Sequence, residues 1–350
     1  MSTASDREKF LSELEDNTSD TPLIRSDSIS AELGIDFYVK REDLCGYKYG
    51  FGGSKLRKLV FIMREALEQG ADTIVVSGNL QSNHVRHTAY VCNQLGLECH
   101  CILQNDTPSN QSFAHYNSGN ILLSRMYGAK VYIVDRPTEL TQHFGSVEQA
   151  VDELTYRGRN VYVVNRGGSK SIGDKAYVQC AEEIVSKLCF SRYKIDPLSI
   201  YVCAGSGGTH AGLALGLAQL SWKAPDFSPL RASTVIGVCN KRSNVDQLEV
   251  FNGCVAALGD FGPSILGFTE IDDRFSKSPR YGEVTAEVRK CADWFFKHTG
   301  IMLDTTYSVK PLLALLDDAR SGLLNDRHVI FVNGGTPISI FAYLEDTELL

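Results

Sequence analysis

An α/β fold built on mostly parallel sheets is what the sequence predicts, and three observations predict it. Short apolar runs, many of them rich in Val, Ile and Tyr, recur along most of the chain. Between them lie stretches whose apolar residues are spaced by three and four. Many of the runs end at Gly or Asn, as buried strands do. Strand alternating with helix is the pattern of parallel sheets covered by helices. The 350 residues suffice for about two domains of ordinary size. A hydrophobic content of 43% allows a sizeable core.

In chain order, the first strand candidate is DFYVKRE, residues 36–42. A helical period follows over 55–69, with Leu56, Leu59, Val60, Met63 and Leu67 on one face. TIVVSG (73–78) is the next strand, and 83–95 the next helix. CHCILQ (99–104), KVYIVD (130–135) and NVYVVN (160–165) follow as strands. The polar stretch 105–120 reads as a loop leading into a helix. A helix is expected over 174–188, a strand at SIYVCAG (199–205) and a helix over 208–220. STVIGVCN (233–240) and HVIFVNG (328–334) complete the strands. The segment 252–282, rich in Gly, Asp and Pro, reads as irregular. Loops of that length tend to be functional or mobile.

A net charge of −7 argues against a nucleic-acid binder or a basic membrane-surface protein. No apolar run approaches the roughly 20 residues that span a bilayer. The first twenty residues, MSTASDREKFLSELEDNTSD, are polar and acidic, unlike a secretory or transit leader. A cytoplasmic protein is expected. Ten scattered cysteines, none in a CxxC pair, read as small buried hydrophobes. His84 and His87 are three apart, but no HExxH or matched cysteine pair accompanies them, so no metal site is expected.

Four strand-to-helix junctions carry chemistry, and open α/β sheets place ligands at such junctions. The first is IYVCAGSGGTHAGLALGL. Gly205, Gly207 and Gly208 let backbone N–H groups converge on an anion, and Ser206 and Thr209 add hydroxyls at a helix start. A dinucleotide site needs an acidic residue after the next strand, where this chain has Cys239 and Asn240. No GxxxxGK[ST] is present, so a compact phosphate-bearing cofactor without ribose fits better. The second, VVSGNLQSNHVRH, puts Ser82 or Asn83 at a helix cap, a position that also suits a carboxylate. The third, LDTTYSVKP, puts Tyr307 in a polar turn. The fourth runs a strand into Asn333, Gly334 and Gly335. Taken singly, these residues read as an ordinary cap, a core tyrosine and common turns. Lys55 stands behind Gly52 and Gly53 at a helix mouth, beside Arg57 and Lys58. A lysine near a phosphate loop and a carboxylate-binding helix start is the set pyridoxal phosphate needs.

KREDL…GFGGSKLRKL, SGNLQSNHVRHTA, GSGGTHAGLALGL, LDTTYSVKP and NGGTP together resemble the D-cysteine desulfhydrase and 1-aminocyclopropane-1-carboxylate deaminase family, over roughly residues 20 to 345. The resemblance implies a two-domain fold type II pyridoxal-phosphate enzyme, like the tryptophan-synthase β-subunit. It implies that Lys55 is the Schiff-base lysine and that Asn83 contacts the ring hydroxyl. Ser82 would lie beside the substrate carboxylate, and Gly205 to Thr209 would bind phosphate. Tyr307 and Tyr281 resemble two active-site tyrosines, and Asn333 stands near the pyridine nitrogen in relatives. The chain departs from the family pattern at Ser54, Thr305, Thr306, Ser308 and Asn333. The expected larger domain is 1–53 with 166–350. The expected smaller domain, 54–165, carries Lys55. The family's usual homodimer is expected.

The reaction expected from the resemblance is β-elimination on a small amino acid, D-cysteine giving pyruvate, ammonia and sulfide. Lys55 would take the Cα proton, kept neutral by a low-dielectric site and nearby positive charge. Tyr307 would protonate the leaving group. Ser308 and Asn333 are neutral, so the cofactor ring is expected to be a mild electron sink that favours elimination over cyclopropane opening. The alternatives are aminocyclopropane carboxylate deamination, another β-elimination or β-replacement, a nucleotide-dependent oxidoreductase, and an inactive binding protein.

Overall fold

A computed structural model describes residues 3–107, 110–134, 144–169, 171–191, 196–223, 225–259 and 263–343. Two sheets organise it. The larger contains β1 (Leu23–Arg25), β2 (Asp36–Lys40), β7 (Leu198–Ala204), β8 (Thr234–Cys239), β9 (Thr269–Asp272) and β10 (His328–Val332), in the order β1-β2-β10-β7-β8-β9. Only β1 is antiparallel to its neighbour. The smaller contains β3 (Thr73–Asn79), β4 (Glu98–Gln104), β5 (Lys130–Ile133) and β6 (Val161–Val164), all parallel, in the order β5-β4-β3-β6.

All eight expected strands form; Asp135, at the end of KVYIVD, lies outside the described residues. β1 and β9 were not expected. Both are short edge strands, with too few residues to display an alternation.

The helices are α1 (Ala4–Thr18), α2 (Asp27–Leu33), α3 (Lys55–Glu68), α4 (Asn83–Leu95), α5 (Phe113–Asn117), α6 (Gly119–Met126), α7 (Val147–Tyr156), α8 (Ser171–Ser191), α9 (Gly208–Lys223), α10 (Asn244–Leu258), α11 (Ala286–Thr299) and α12 (Val309–Arg320). The four expected helical periods correspond to α3, α4, α8 and α9. Helix α10 extends into the segment read as irregular, which also contains β9; residues 260–262 of it lie outside the described residues. In the stretch 105–120, Pro108 and Ser109 likewise lie outside them, and α5 occupies part of the rest. No helix among the described residues is long and apolar enough to cross a membrane.

The larger sheet is covered on both faces. Helices α8 and α9 bury Ile184, Leu188, Leu213 and Leu217 on one face. Helices α11 and α12 bury Phe295, Leu312 and Leu315 on the other. The acidic N-terminus forms α1, started by a capping box in which Thr3 and Asp6 satisfy each other's backbone N–H groups. Its Leu11 and Leu14 enter the smaller sheet's core beside Leu56 and Leu59 of α3, as does Cys45. Part of segment 1–53 thus packs with the smaller sheet, whereas β1 and β2 join the larger one.

Helix α3 is therefore claimed from two sides. Its apolar face packs in the smaller core, and its charged face reaches the larger sheet. The Arg57 guanidinium donates to Glu42 (2.8 Å) and to Glu183 of α8 (2.7 Å). Lys40, the last residue of β2, donates to the same Glu183 (2.6 Å) and to the Thr21 carbonyl (2.8 Å). Burial opposes the charge on Glu183, yet hydrogen bonds from Arg57 hold its pKa down at about 2. Two cations and two carboxylates balance in the interior, where removing one partner strands a charge. Arg57→Met is expected to cost about 3–5 kcal/mol in urea unfolding. Adding Glu42→Met should recover much of the loss. A single variant as stable as the parent would mean the network is not strained by the missing charge.

Candidate active site

The turn before α3 is built by glycine. Gly52 has φ of 63°, and a Cβ there would lie 2.8 Å from the Tyr47 Cα and 2.9 Å from the Asp43 carbonyl oxygen. Helix α4 ties the turn down: Arg86 donates to the Gly50 and Gly52 carbonyls and to Thr336, and His87 meets the Gly52 carbonyl. Ser54 is held by its N–H to the Gly334 carbonyl (3.4 Å), and its own carbonyl accepts from Tyr177 (3.1 Å). Lys55 thereby opens α3 and lines a cavity of about 330 Å³. Burial, followed by repulsion from Lys58, lowers its pKa to about 8. Neither of its neighbouring cations is free: Arg57 belongs to the network above, and Lys58 donates to Asp174 at 2.8 Å.

Ser82 is the cap of α4, its Oγ accepting from the Val85 N–H (3.3 Å), and Asn83 is the first helical residue. The Asn83 Oδ1 accepts from Asn120 (3.0 Å) and Thr336 (3.1 Å). That fixes the amide orientation and leaves Nδ2 as the donor it offers to the cavity, which both residues line.

The glycine turn joins β7 to α9. Gly205, Ser206, Gly207 and Thr209 line the cavity. Gly208 does not; a Cβ there would lie 1.8 Å from the Asp174 Oδ1, so glycine is what lets α9 start against the Lys58–Asp174 pair. Tyr281 and Tyr307 also line the cavity with their hydroxyls in contact. Burial pushes both phenols above their ordinary pKa, so both remain donors at neutral pH. Ser308 and Gly335 line the wall beside them. Asn333 is fully buried, makes no side-chain hydrogen bond, and does not line the cavity.

Three residues here were given no role in this cavity by sequence reasoning, His84 having been weighed only as a metal ligand. Asp304, fully buried, accepts from the Ser308 hydroxyl at 2.6 Å, so a carboxylate stands one hydroxyl behind a wall expected to be neutral. Lys310 donates to the carbonyls of Asn240 (2.7 Å), Phe275 (2.8 Å) and Pro279 (2.7 Å), pinning the segment that carries Tyr281. A lysine inside the apolar run of α12 was the available signal. His84 lines the cavity, and burial, then Lys55, lowers its pKa to about 3. His84 and His87 do not form a three-ligand cluster among the described residues. Glu42, Cys180 and Glu183 do come together, but both carboxylates already serve Arg57.

These residues fit pyridoxal phosphate: an amine of lowered pKa for the aldehyde, an oriented amide donor for the phenolic oxygen, and a glycine turn with free N–H groups for the phosphate. Residues 14–335 match the family model described as pyridoxal-phosphate dependent enzyme. D-cysteine desulfhydrases of Serratia proteamaculans and Yersinia enterocolitica are each 35% identical to the chain, covering 92% of it and 93% of their own length. The crystal structure of an ACC deaminase homologue superposes with a TM-score of 0.75 at 31% identity, covering 94% of both chains. A threonine deaminase isoform of Solanum lycopersicum shares the fold, with a TM-score of 0.61 at 16% identity and coverage of 99% of this chain and 94% of its own. With Lys55 and the glycine turn facing one cavity, and with these likenesses over nearly its whole length, the chain belongs to the pyridoxal-phosphate-dependent enzymes.

Proposed function

We propose that the protein is a β-eliminating lyase acting on a small amino acid, with D-cysteine and water giving pyruvate, ammonia and hydrogen sulfide. The observation that carries the reading is the convergence of Lys55, Ser82, Asn83, the 205–209 turn and Tyr307 on one cavity. Lys55 holds the cofactor and later accepts the Cα proton. Its pKa of about 8 leaves a useful fraction neutral at physiological pH. Asn83 orients the ring by donating to its phenolic oxygen, and the glycine turn holds the phosphate. When bound, the cofactor supplies the sink for the electron pair left on Cα. Ser82 positions the substrate carboxylate at the start of α4. Tyr307 gives its proton to the departing sulfur, and Tyr281, in contact with it, keeps that hydroxyl in place.

The relatives of known name support D-cysteine as the substrate. Opening of aminocyclopropane carboxylate is the second reading, favoured by the buried Asp304 carboxylate and by the ACC deaminase homologue.

We further propose that the two sheets are two domains that close on the substrate, divided near residues 53/54 and 165/166, with α1 moving with the smaller. The enzyme is placed in the cytoplasm, where ten unpaired cysteines stay reduced. It works as a homodimer. Phe113 is 78% and Met126 71% exposed, and with exposed Leu122 and Phe341 they lie on α5, α6 and the 3-10 turn Pro337–Ala342, which pack against one another. Met126→Glu should shift the sedimenting species from dimer to monomer; a wild-type monomer contradicts the assignment.

Substrate is settled by measuring sulfide, ammonia and keto acid from D-cysteine, L-cysteine and aminocyclopropane carboxylate side by side. D-cysteine is expected to have the highest kcat/KM. Tyr307→Phe should lower kcat for elimination by about 10²–10⁴-fold. Efficient ring opening without sulfide from either enantiomer would reverse the order of the two readings.

Lys55→Ala should retain the fold, lose the visible cofactor band and lose turnover by orders of magnitude. The lowered pKa has its own signature in the parent enzyme. Only the neutral amine attacks the aldehyde, so cofactor uptake by the stripped enzyme should accelerate about tenfold per unit below pH 8 and level off above it. A rate still climbing steeply through pH 10 would mean that Lys55 keeps an ordinary amine pKa.

A further inference from the structure

Asp304 makes all four of its hydrogen bonds within one turn of chain. Its Oδ1 accepts from the backbone N–H groups of Thr306 (3.1 Å) and Tyr307 (2.6 Å). Its Oδ2 accepts from the Ser308 N–H (3.1 Å) and the Ser308 hydroxyl (2.6 Å). Each oxygen meets two donors, which suits an ionised carboxylate; a protonated one would set its own hydrogen against one of them. Burial pushes the Asp304 pKa up, and these four donors work in the opposite direction. The ionisable groups influenced by Asp304 are Lys55 from α3, Cys203 from β7 and Tyr307.

This arrangement decides what Ser308 can offer. A serine hydroxyl has one proton and two lone pairs. The proton is committed to Asp304, and one lone pair accepts from the Gly335 N–H at 3.2 Å. A Cβ on residue 335 would lie 1.6 Å from the Asp304 Oδ2 and 2.8 Å from the Ser308 Oγ, so only glycine brings that N–H close enough. Ser308 lines the cavity, and what it has left is a single lone pair with an anion behind it.

We infer that Asp304 is a positioning residue that fixes Ser308 as a hydrogen-bond acceptor and thereby holds the cofactor's ring nitrogen in its protonated form. The inference rests on pyridoxal phosphate being the bound group. The phosphate and the phenolic oxygen of that group are anionic or acceptors, and an acceptor backed by a carboxylate repels both. The ring nitrogen is the one atom that can bring a proton to Ser308, and the nearby negative charge favours its charged form. The neutrality of Ser308 therefore does not make the site a weak electron sink, because the charge sits one hydroxyl further back.

The test uses holoenzyme loaded with cofactor carrying an isotopically labelled ring nitrogen, read by NMR at neutral pH. The parent enzyme should show the protonated resonance. Asp304→Asn should move it to the unprotonated position. Ser308→Ala, which leaves the backbone N–H groups on Asp304, should do the same and serves if the first variant does not fold. Cofactor affinity, followed by fluorescence titration, should fall in both. An unprotonated resonance in the parent, or a protonated one unmoved in Ser308→Ala, overturns the inference while leaving cofactor binding intact. A parent that takes up no cofactor overturns the assignment of the site as well.

Discussion

The interior pairing of Arg57 and Lys40 with Glu42 and Glu183 is the constraint on which the site depends. Helix α3 has to satisfy two cores at once. Leu56, Leu59 and Met63 settle it against the smaller sheet, while Arg57 engages a residue following β2 and another on α8. Ion pairs of this kind add little net stability, since desolvation offsets most of their attraction. What they supply is register. A guanidinium donating to two carboxylates from two elements has few alternative placements. Lys55, two residues earlier on the same helix, takes its position from that fit.

The same accounting explains why Lys55 alone among the three cations of the first turn faces the cavity with no carboxylate bonded to it. Arg57 and Lys58 are neutralised by acids far along the chain, and Lys58 still lies near enough to depress the Lys55 amine. In the cavity wall, Asp106 accepts from Arg166 (3.3 Å) and from Lys241 (3.0 Å), joining the end of β4 to the end of β8. The two sheets are thus linked by charge through the Arg57 network and again through Asp106 in the cavity wall. Electrostatics here arranges the parts, and burial of the aliphatic cores stabilises them.

Much of this architecture was legible in the sequence. The eight expected strands announce themselves as short apolar runs, and the six that are central to their sheets need apolar residues at consecutive positions because both their faces are covered. The edge strands β1 and β9, three and four residues long, carry no such demand and are too short to show a pattern. Helix α1 escaped notice because only Phe10, Leu11 and Leu14 give it an apolar side. The glycine turn and Ser82 were readable because local chemistry fixes them: positive φ, close approach, a capping hydroxyl. Asp304 was not, since its partners are backbone groups and a serine of its own turn, which any short acidic motif could provide. Arg57 and Lys58 looked like loose cations for a related reason. Glu183 and Asp174 lie more than a hundred residues downstream, and nothing in the sequence pairs them with α3.

Gly335 has a consequence for how this chain can change over generations. Its missing side chain is the space that the Asp304 carboxylate occupies. Neither position can mutate by itself without a clash or an abandoned hydroxyl, although they are separated by a helix and a strand. Asp304 and Gly335 are therefore inherited as one character, and drift among homologues should alter the two together or leave both alone.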